Sequence, residues 1–573
     1  RAIWNKQFTP DIHSTFVTGF QAYNTINRRT AGWGKQFPGP GLEVLNAAGT
    51  TGAFSSFSEI IEAGYFFQEQ LAYQDYVFVT LGLRQDANSA FGTNFSTVTY
   101  PKFGVSFVPT NVKGAFGPLT TLRLRAGWGK SGQQPGAFDQ FTTFQPLASE
   151  EGPGLIPENL GNPDLKPEVT TEIEVGAEFG LINDKIGVSL NKWNRVTKDG
   201  LFAQQFAPSG GFQSTQLGNV GEWEGNGYEF DIKALVYESF NTNVEIFFNS
   251  SYTNEIITDL SGMPAQKLAG SYPRYRNYLN EGYAPGALFG AQLASAGDCI
   301  AVNTDGSCAT TFQSGDLPID ITGDGLPDPM ESLTSYLAFN EVTYLAELDE
   351  WAPVLALPTA LDSANSDARV VGDPLGWYLG NPEPDWQGSF GFNMDFLKNF
   401  RLTTLLEYKR GNYYITNLGD AFRHHYTNLM NTPATAEINK QFATGGLDSN
   451  NNPQHDSQVR LDNLLNYINN YLALTPYSGL NTMEKGDFIR LREIGLTYTL
   501  PREFVEGFNL GSAALSFKAK NLLLFTNYSG VDPENNAGGR NTNGGINSNF
   551  VRAIDMMGMP LQRQYILTFK VNF

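Results

Sequence analysis

The chain closes on Arg563–Phe573, RQYILTFKVNF. Successive side chains of a strand point to opposite faces. Tyr565, Leu567, Phe569, Val571 and Phe573 therefore share one face, and Gln564, Ile566, Thr568, Lys570 and Asn572 share the other. A soluble protein rarely leaves so apolar a strand face at its end. A transmembrane β-barrel needs one, with lipid outside and a polar lumen inside. The five alternating apolar residues, with Phe573 last, suit a recognition signal for the machinery that assembles outer-membrane barrels.

The same two-residue rhythm recurs along the chain. Leu122, Leu124, Ala126 and Trp128 alternate with Arg123, Arg125, Gly127 and Gly129, and Ile173, Val175, Ala177 and Phe179 with Glu172, Glu174, Gly176 and Glu178. About fourteen such strands are expected, near 8–26, 58–73, 75–88, 98–108, 119–131, 168–181, 185–199, 220–237, 240–254, 388–397, 399–413, 487–500, 513–526 and 561–573. The 487–500 strand keeps a clean alternation only from Ile494 onward. No run approaches the roughly 20 apolar residues of a spanning helix. Aromatic residues and glycine are abundant, as a barrel of weak helical hydropathy requires. No repeat of roughly 20–50 residues points to a propeller or solenoid.

Connections alternate between short and long. Short ones fall at Gln74, 109–118, 182–184, 238–239, Lys398 and 501–512. Long ones fall at about 27–57, 89–97, 132–167, 200–219, 255–387, 414–486 and 527–560. Outer-membrane barrels sort their connections in this way, with short periplasmic turns and long outer loops. The lengths of 89–97 and 109–118 are nearly equal, so their sides rest on the alternation around them. The last strand then descends, the first ascends, and Arg1 is expected at the periplasmic end with an even number of strands before it. An open edge in lipid leaves unpaired N–H and C=O groups at several kcal/mol each. The strands must close on themselves or on further strands upstream, and a start at Arg1 without a signal peptide favours an upstream portion.

The net charge of −20 disfavours nucleic acid, which attracts clustered Lys and Arg. Cys299 and Cys308 lie in one expected outer loop. In an oxidising compartment they are expected to pair and to contribute about 2–3 kcal/mol of local order. Two free thiols are the alternative.

Several motifs appear in order. Gly161-Asn-Pro-Asp-Leu-Lys-Pro-Glu168 enters a strand and Gly218-Asn-Val-Gly221 follows. Gly282-Tyr-Ala-Pro-Gly-Ala-Leu-Phe-Gly290, Gly372-Asp-Pro374 and Pro382-Glu-Pro384 come next. Phe488-Ile-Arg-Leu-Arg-Glu493, Lys520-Asn-Leu522 and Tyr528-Ser-Gly-Val-Asp-Pro-Glu534 lie toward the end. In this order and spacing the chain resembles the SusC/RagA family of TonB-dependent outer-membrane transporters, from about Ser58 to Phe573. The resemblance implies an all-β, transmembrane antiparallel barrel of about 22 strands, with residues 1–573 its C-terminal portion. It also implies a plug domain, whose motifs this chain lacks, a TonB contact, a SusD-like surface lipoprotein as lid, and a glycan or peptide as cargo.

Asp320-Ile-Thr-Gly-Asp-Gly-Leu-Pro-Asp-Pro-Met-Glu331 fits a calcium-loop pattern except for Thr322 at the third position. Asp320, Thr322, Asp324 and Asp328 offer side-chain oxygens, Leu326 a carbonyl, and Glu331 two oxygens to a hard cation. The ion would be structural, and no cofactor is required. His424-His425 has no Cys or third His beside it and reads as an exposed pair. No catalytic set stands out, so no enzyme is expected. Trp377, Trp386, Tyr413 and Tyr414 are candidates for stacking on sugar rings, and membrane girdles explain such aromatics equally well. Substrate-binding residues are not legible. The leading expectation is TonB-driven nutrient import across the outer membrane. The alternative is a structural or adhesive barrel, or a scaffold for a surface assembly.

Overall fold

The computed structural model describes residues 1–268, 276–293, 299–302, 308–311, 355–356, 377–417, 433–454, 459, 483–536 and 551–572, apart from internal gaps of one to three residues. The chain forms two compact units, Arg1–Tyr228 with Thr258–Met263, and Glu229–Ile257 with Pro264–Phe573.

The first unit holds β1 (Ala2–Thr9), β2 (Ile12–Lys35), β3 (Thr50–Tyr73), β4 (Val77–Asn88), β5 (Val98–Phe107), β6 (Leu119–Gln133), β7 (Glu168–Leu181) and β8 (Ile186–Gln205). Strand β9 (Thr215–Ser239) begins here. Sheet order follows chain order. The β7–β8 ladder runs without a break from Ile186 opposite Leu181 to Lys198 opposite Val169.

One expected strand is two. The Thr9 hydroxyl accepts the backbone N–H groups of Asp11 and Ile12, at 3.3 and 3.1 Å, and turns the chain at Pro10-Asp11. Such a local turn leaves the apolar rhythm of its neighbours intact, so alternation alone does not show it. The added strand reverses the parity inferred from the sequence. Ala2 faces Thr18, partway along β2, so Arg1 is not beside the short turns. Strands β2 and β3 pair from Ile12–Tyr73 to Lys35–Thr50, which shrinks the expected 27–57 connection to 36–49. The 200–219 connection likewise shrinks to 206–214.

The two ambiguous connections take opposite sides, as the alternation required. Gly92 and Asn94 donate to the carbonyls of Leu165 and Pro163, which seats 89–97 against the long β6–β7 connection. Val108 donates to Tyr76 and the Asn111 amide to Asp75, which seats 109–118 beside the β3–β4 turn.

The second unit continues with β10 (Thr242–Asp259), β11 (Trp386–Phe396), β12 (Phe400–Arg410), β13 (Phe488–Thr499), β14 (Ser512–Thr526) and β15 (Gln564–Asn572), again in chain order. Among the described residues, fifteen ladder strands therefore stand where about fourteen were expected. On β15, Tyr565, Leu567 and Phe569 are strongly exposed and Val571 is half-buried; Phe573 lies outside the described residues. A sheet whose apolar face meets lipid has no core on that side. Two buried clusters among the described residues of this unit accordingly sit within the long connections. One comprises Tyr278, Ala287 and Phe289, with Tyr283 and Tyr378 packed on it. The other comprises Tyr413, Ile415, Tyr528 and Ala553.

Candidate functional site

On β6 and β7, Arg123, Arg125, Glu174 and Glu178 lie on the face opposite the exposed Leu124, Trp128, Ile173 and Val175. Arg125 reaches Glu174 at 3.2 Å and Glu178 at 3.5 Å, and donates to Asn191 at 2.6 Å. Arg123 reaches Glu178 at 3.6 Å. These pairs cross three adjacent strands, β6, β7 and β8. Partly exposed pairs of this kind contribute little stability, on the order of 1 kcal/mol or less each. Their consequence is a wet, charged wall behind a lipid-facing one.

The Gly161–Glu168 motif fastens the long-connection end of the same unit. Leu165 is fully buried, and Ala90 and Phe91 are also buried. A Cβ on Gly92 would collide with the backbone of Pro163 and Leu165, so that close approach requires glycine. From the second motif, Asn219 accepts from Lys166 N–H at 2.8 Å and donates to the carbonyls of Lys166 and Asp199 at 2.9 and 2.8 Å. One amide side chain thereby acts as a strand neighbour to the Lys166 peptide.

In the second unit β13 carries a bulge. Leu405 and Leu406 of β12 face Glu493 and Leu491, so Arg492 is an extra residue. On β14, Lys520 faces Glu493 and Leu523 faces Leu491, with Asn521 in the left-handed region at φ 54°. A bulge turns a side chain that would otherwise point the other way. Here Arg490, Arg492 and Glu493 all take the polar face. This is the physical cause of the broken alternation before Ile494.

The polar face then forms a network with the Tyr528–Glu534 motif. Arg490 Nη2 donates to Asp532 Oδ1 at 2.5 Å, and its Nε lies 2.8 Å from Glu534 Oε2, off the axis of a hydrogen bond. Arg492 donates to Glu407 at 2.5 Å and to Glu534. Lys518 reaches Glu493 at 2.6 Å. Asp532 also accepts the N–H groups of Glu534 and Leu561, at 3.0 and 3.1 Å. Two sequence motifs distant in the chain thus meet as one ionic floor beneath the long connections.

A strap overlies that floor. Tyr414–Asn417 pairs antiparallel with Met483–Lys485 and parallel with Ile554–Asp555. The Tyr413 hydroxyl donates to the Pro533 carbonyl at 3.0 Å, and the Tyr528 hydroxyl to Asp555 at 2.9 Å. Burial raises the Asp555 carboxyl above its ordinary range, against the opposing bonds from Tyr528 and Asn535. Burial, then the charge of Asp555, pushes the Tyr528 hydroxyl well up, so it remains a donor. The arrangement fixes the base of the long connections. It offers no nucleophile–base pair.

The sequence-based candidates fare unequally. Asp320, Thr322, Asp324, Leu326, Asp328 and Glu331 lie outside the described residues, as do His424 and His425. Among the described residues no three metal-ligating side chains converge. Cys299 and Cys308 lie on facing strands of one short ribbon, where Cys299 pairs with Thr311 and Cys308 with Val302. Tyr413 is buried and cannot stack on a ligand. Trp386 shares the apolar face of its strand with Phe390 and packs on Tyr252 at 5.0 Å. The ionic floor was not anticipated. Its signal was the disturbed rhythm at Arg490–Glu493, followed by the acidic Asp532-Pro-Glu534.

A strand ladder with one lipid-facing apolar side, a charged opposite side and sorted connections defines an outer-membrane β-barrel. Residues 3–323 match the family model described as TonB dependent receptor-like, beta-barrel, and the chain belongs to that family. TonB-dependent receptor P3 of Formosa agariphila is 22% identical over 593 residues, covering 100% of this chain and 51% of its own length. TonB-dependent receptor SusC of Bacteroides thetaiotaomicron is 27% identical over 199 residues, covering 32% of this chain and 19% of its own. The solved RagAB peptide importer in its closed-closed state matches with a TM-score of 0.70 at 18% identity, over 100% of this chain and 55% of that one. These likenesses agree with the SusC/RagA resemblance. The chain spans about half the length of P3. The family comprises outer-membrane receptors and transporters, not enzymes.

Proposed function

We propose that the chain is the C-terminal barrel portion of a transporter that imports a nutrient oligosaccharide or peptide across the outer membrane, driven by TonB. A SusD-like lipoprotein would act as the lid over the long connections. Family membership over residues 3–323 carries this reading. The charged face supports it, because a polar cargo needs a wet path behind the lipid-facing wall. The ionic floor and strap support the lid, because a moving partner needs a fixed base to close against.

The test is deletion of the complete gene, followed by growth on defined oligosaccharides or peptides as sole nutrient. Expected is loss of growth on one cargo class, restored by the full-length gene and not by a version lacking its TonB contact. Unchanged growth on every cargo, with surface attachment lost instead, would replace import by the structural or adhesive reading.

A further inference from the structure

Strands β2 and β3 run on past their neighbour in the first unit. The β3–β4 ladder ends at Glu62 opposite Asn88, whereas β2 and β3 stay paired as far as Lys35 opposite Thr50. From Ile12, beside a short turn, to Asn24 is twelve residue steps. At about 3.3 Å per step and a tilt near 40°, this rises roughly 30 Å, past an apolar band of about 25 Å. The two-stranded ribbon above Asn24 therefore stands outside the membrane, at the end away from the short turns.

Its two faces differ. On one, a Cβ on Gly32 would stand 3.1 Å from Leu45, and one on Gly34 2.7 Å from Ala48, so the connection at 36–49 folds back over that face. The other face continues the polar side of the wall through Gln21, which accepts from Arg84 at 3.1 Å. It carries Arg29, Trp33 and Lys35 of β2, and Phe54 of β3 opposite Ala31. Trp33 and Phe54 are diagonal neighbours across the ribbon, and their side chains are 47% and 50% exposed. The Arg29 guanidinium lies over Phe54 at 5.5 Å and the Lys35 ammonium over Trp33 at 5.1 Å. The strip thus presents two rings between two cations, along roughly 20 Å of strand. Among the described residues neither cation has a hydrogen bond or ion pair. No acid lies on this face between Glu62 and Thr50, in a chain whose net charge is −20.

We infer that this strip captures an acidic oligosaccharide, its sugar rings stacked on Trp33 and Phe54 and its carboxylates or sulfates on Arg29 and Lys35. The C–H face of a sugar is apolar and lies flat on an aromatic ring while its hydroxyls stay in water. A neutral sugar would use the rings and leave both cations without a role. The lipid-facing side of the wall continues into the opposite face of the ribbon, so the anionic headgroups of the outer leaflet do not meet this strip. The inference names a cargo class for the import reading and rests on it. Binding is measured on the purified protein and import by growth, so the failure of one is distinguishable from the failure of the other.

The full-length protein would be titrated calorimetrically with oligogalacturonate, oligomannuronate and a sulfated galactan oligosaccharide, each beside its methyl-esterified or desulfated form. Oligoglutamate of equal charge would be titrated alongside. Expected is binding of at least one acidic glycan about tenfold or more tighter than its neutralised form. The preference should fall several-fold in Arg29→Ala and vanish when Lys35→Ala is added, while Trp33→Ala weakens both forms. Arg28 is the control: it carries the same charge one residue away, on the opposite face, over Phe57 at 5.2 Å. Arg28→Ala should keep the preference. Retained heat-modifiable mobility on gels certifies that each variant is folded. No preference for any of the three acidic glycans, or a preference lost equally in Arg28→Ala and Arg29→Ala, would overturn the assignment. Oligoglutamate bound as tightly as the best glycan, and unaffected by Trp33→Ala, would overturn it too, naming an acidic peptide as the occupant.

Discussion

Arg490 and Asp532, 42 residues apart in the chain, meet at 2.5 Å with side chains only 3% and 2% exposed. Removing one partner of such a pair strands a buried charge and costs about 3–5 kcal/mol. Replacing both by apolar residues of similar volume is often neutral. Asp532→Asn is therefore expected to lower the denaturant midpoint of the purified barrel and to speed proteolysis of the segment after Thr526. Arg490→Met with Asp532→Leu should recover part of the loss. Two single variants as stable as the wild type would show that the pair carries no structural load.

The bulge at Arg492 makes a sharper prediction, because strand pairing has a period of two. Deleting an in-register residue from an alternating strand moves everything on one side of the deletion to the other face. Deleting the extra residue does not: without Arg492, Leu491 stands beside Glu493, opposite Leu406 and Leu405, and every side chain keeps its face. That deletion loses the Arg492 bonds to Glu407, Glu534 and Asn521 and should still assemble. Removal of Leu496, which is in register with Leu402 and Phe517, should instead turn Thr497 toward lipid and Tyr498 toward the polar face. Barrel assembly should then fall severely, read as loss of the heat-modifiable band in outer-membrane fractions. Equal assembly of the two deletions would refute the register argument.

Asn219 tests the latch of the first unit. Its amide makes three bonds to backbone groups of Lys166 and Asp199. Asn219→Ala leaves those groups without partners, at about 1–3 kcal/mol for each one kept from water. Hydrogen exchange at the Lys166 amide should accelerate tenfold or more, with the β7–β8 ladder unaffected. Asn219→Asp keeps the acceptor for Lys166 N–H and should protect that amide better than alanine does. Equal exchange in all three proteins would remove the latch.

The strands and the sorting of connections were legible because both follow from one periodicity, apolar against polar, imposed by lipid on one side. What the sequence hid is local or long-range. The Thr9 turn splits a strand without disturbing its rhythm. The extension of β2 and β3 to Lys35 and Thr50 carries polar residues on both faces, so nothing in its pattern separates ladder from loop. The floor joins Arg490 to Asp532, and such a pairing has no trace in spacing. Its legible symptoms were the irregular stretch before Ile494 and the acidic Asp532-Pro-Glu534.

The Asp320–Glu331 pattern carries its own prediction. If its oxygens hold calcium, chelation of the purified barrel should expose 320–331 to limited proteolysis, and calcium should restore protection where magnesium does not. Asp324→Asn should shift the required calcium upward by about tenfold. The same cleavage pattern with and without chelator would end the assignment.

The last prediction concerns pH at the strap. Burial raises the Asp555 carboxyl above its ordinary 3.8. The folded state therefore holds this proton more tightly than the unfolded state, and stability falls as pH rises through the raised value. The contribution is complete below 3.8 and absent once Asp555 is ionised in both states. Tyr528 stays protonated across this window, so it donates to Asp555 throughout. Protection of the Thr416 amide, which donates to the Ala553 carbonyl, should therefore decline as pH rises above 3.8, once intrinsic exchange is corrected. In Asp555→Asn the group cannot ionise, and the decline should flatten. Tyr528→Phe removes the donor that favours the carboxylate, so the decline should move to higher pH. A profile identical in the wild type and Asp555→Asn would show that another group sets the strap's response.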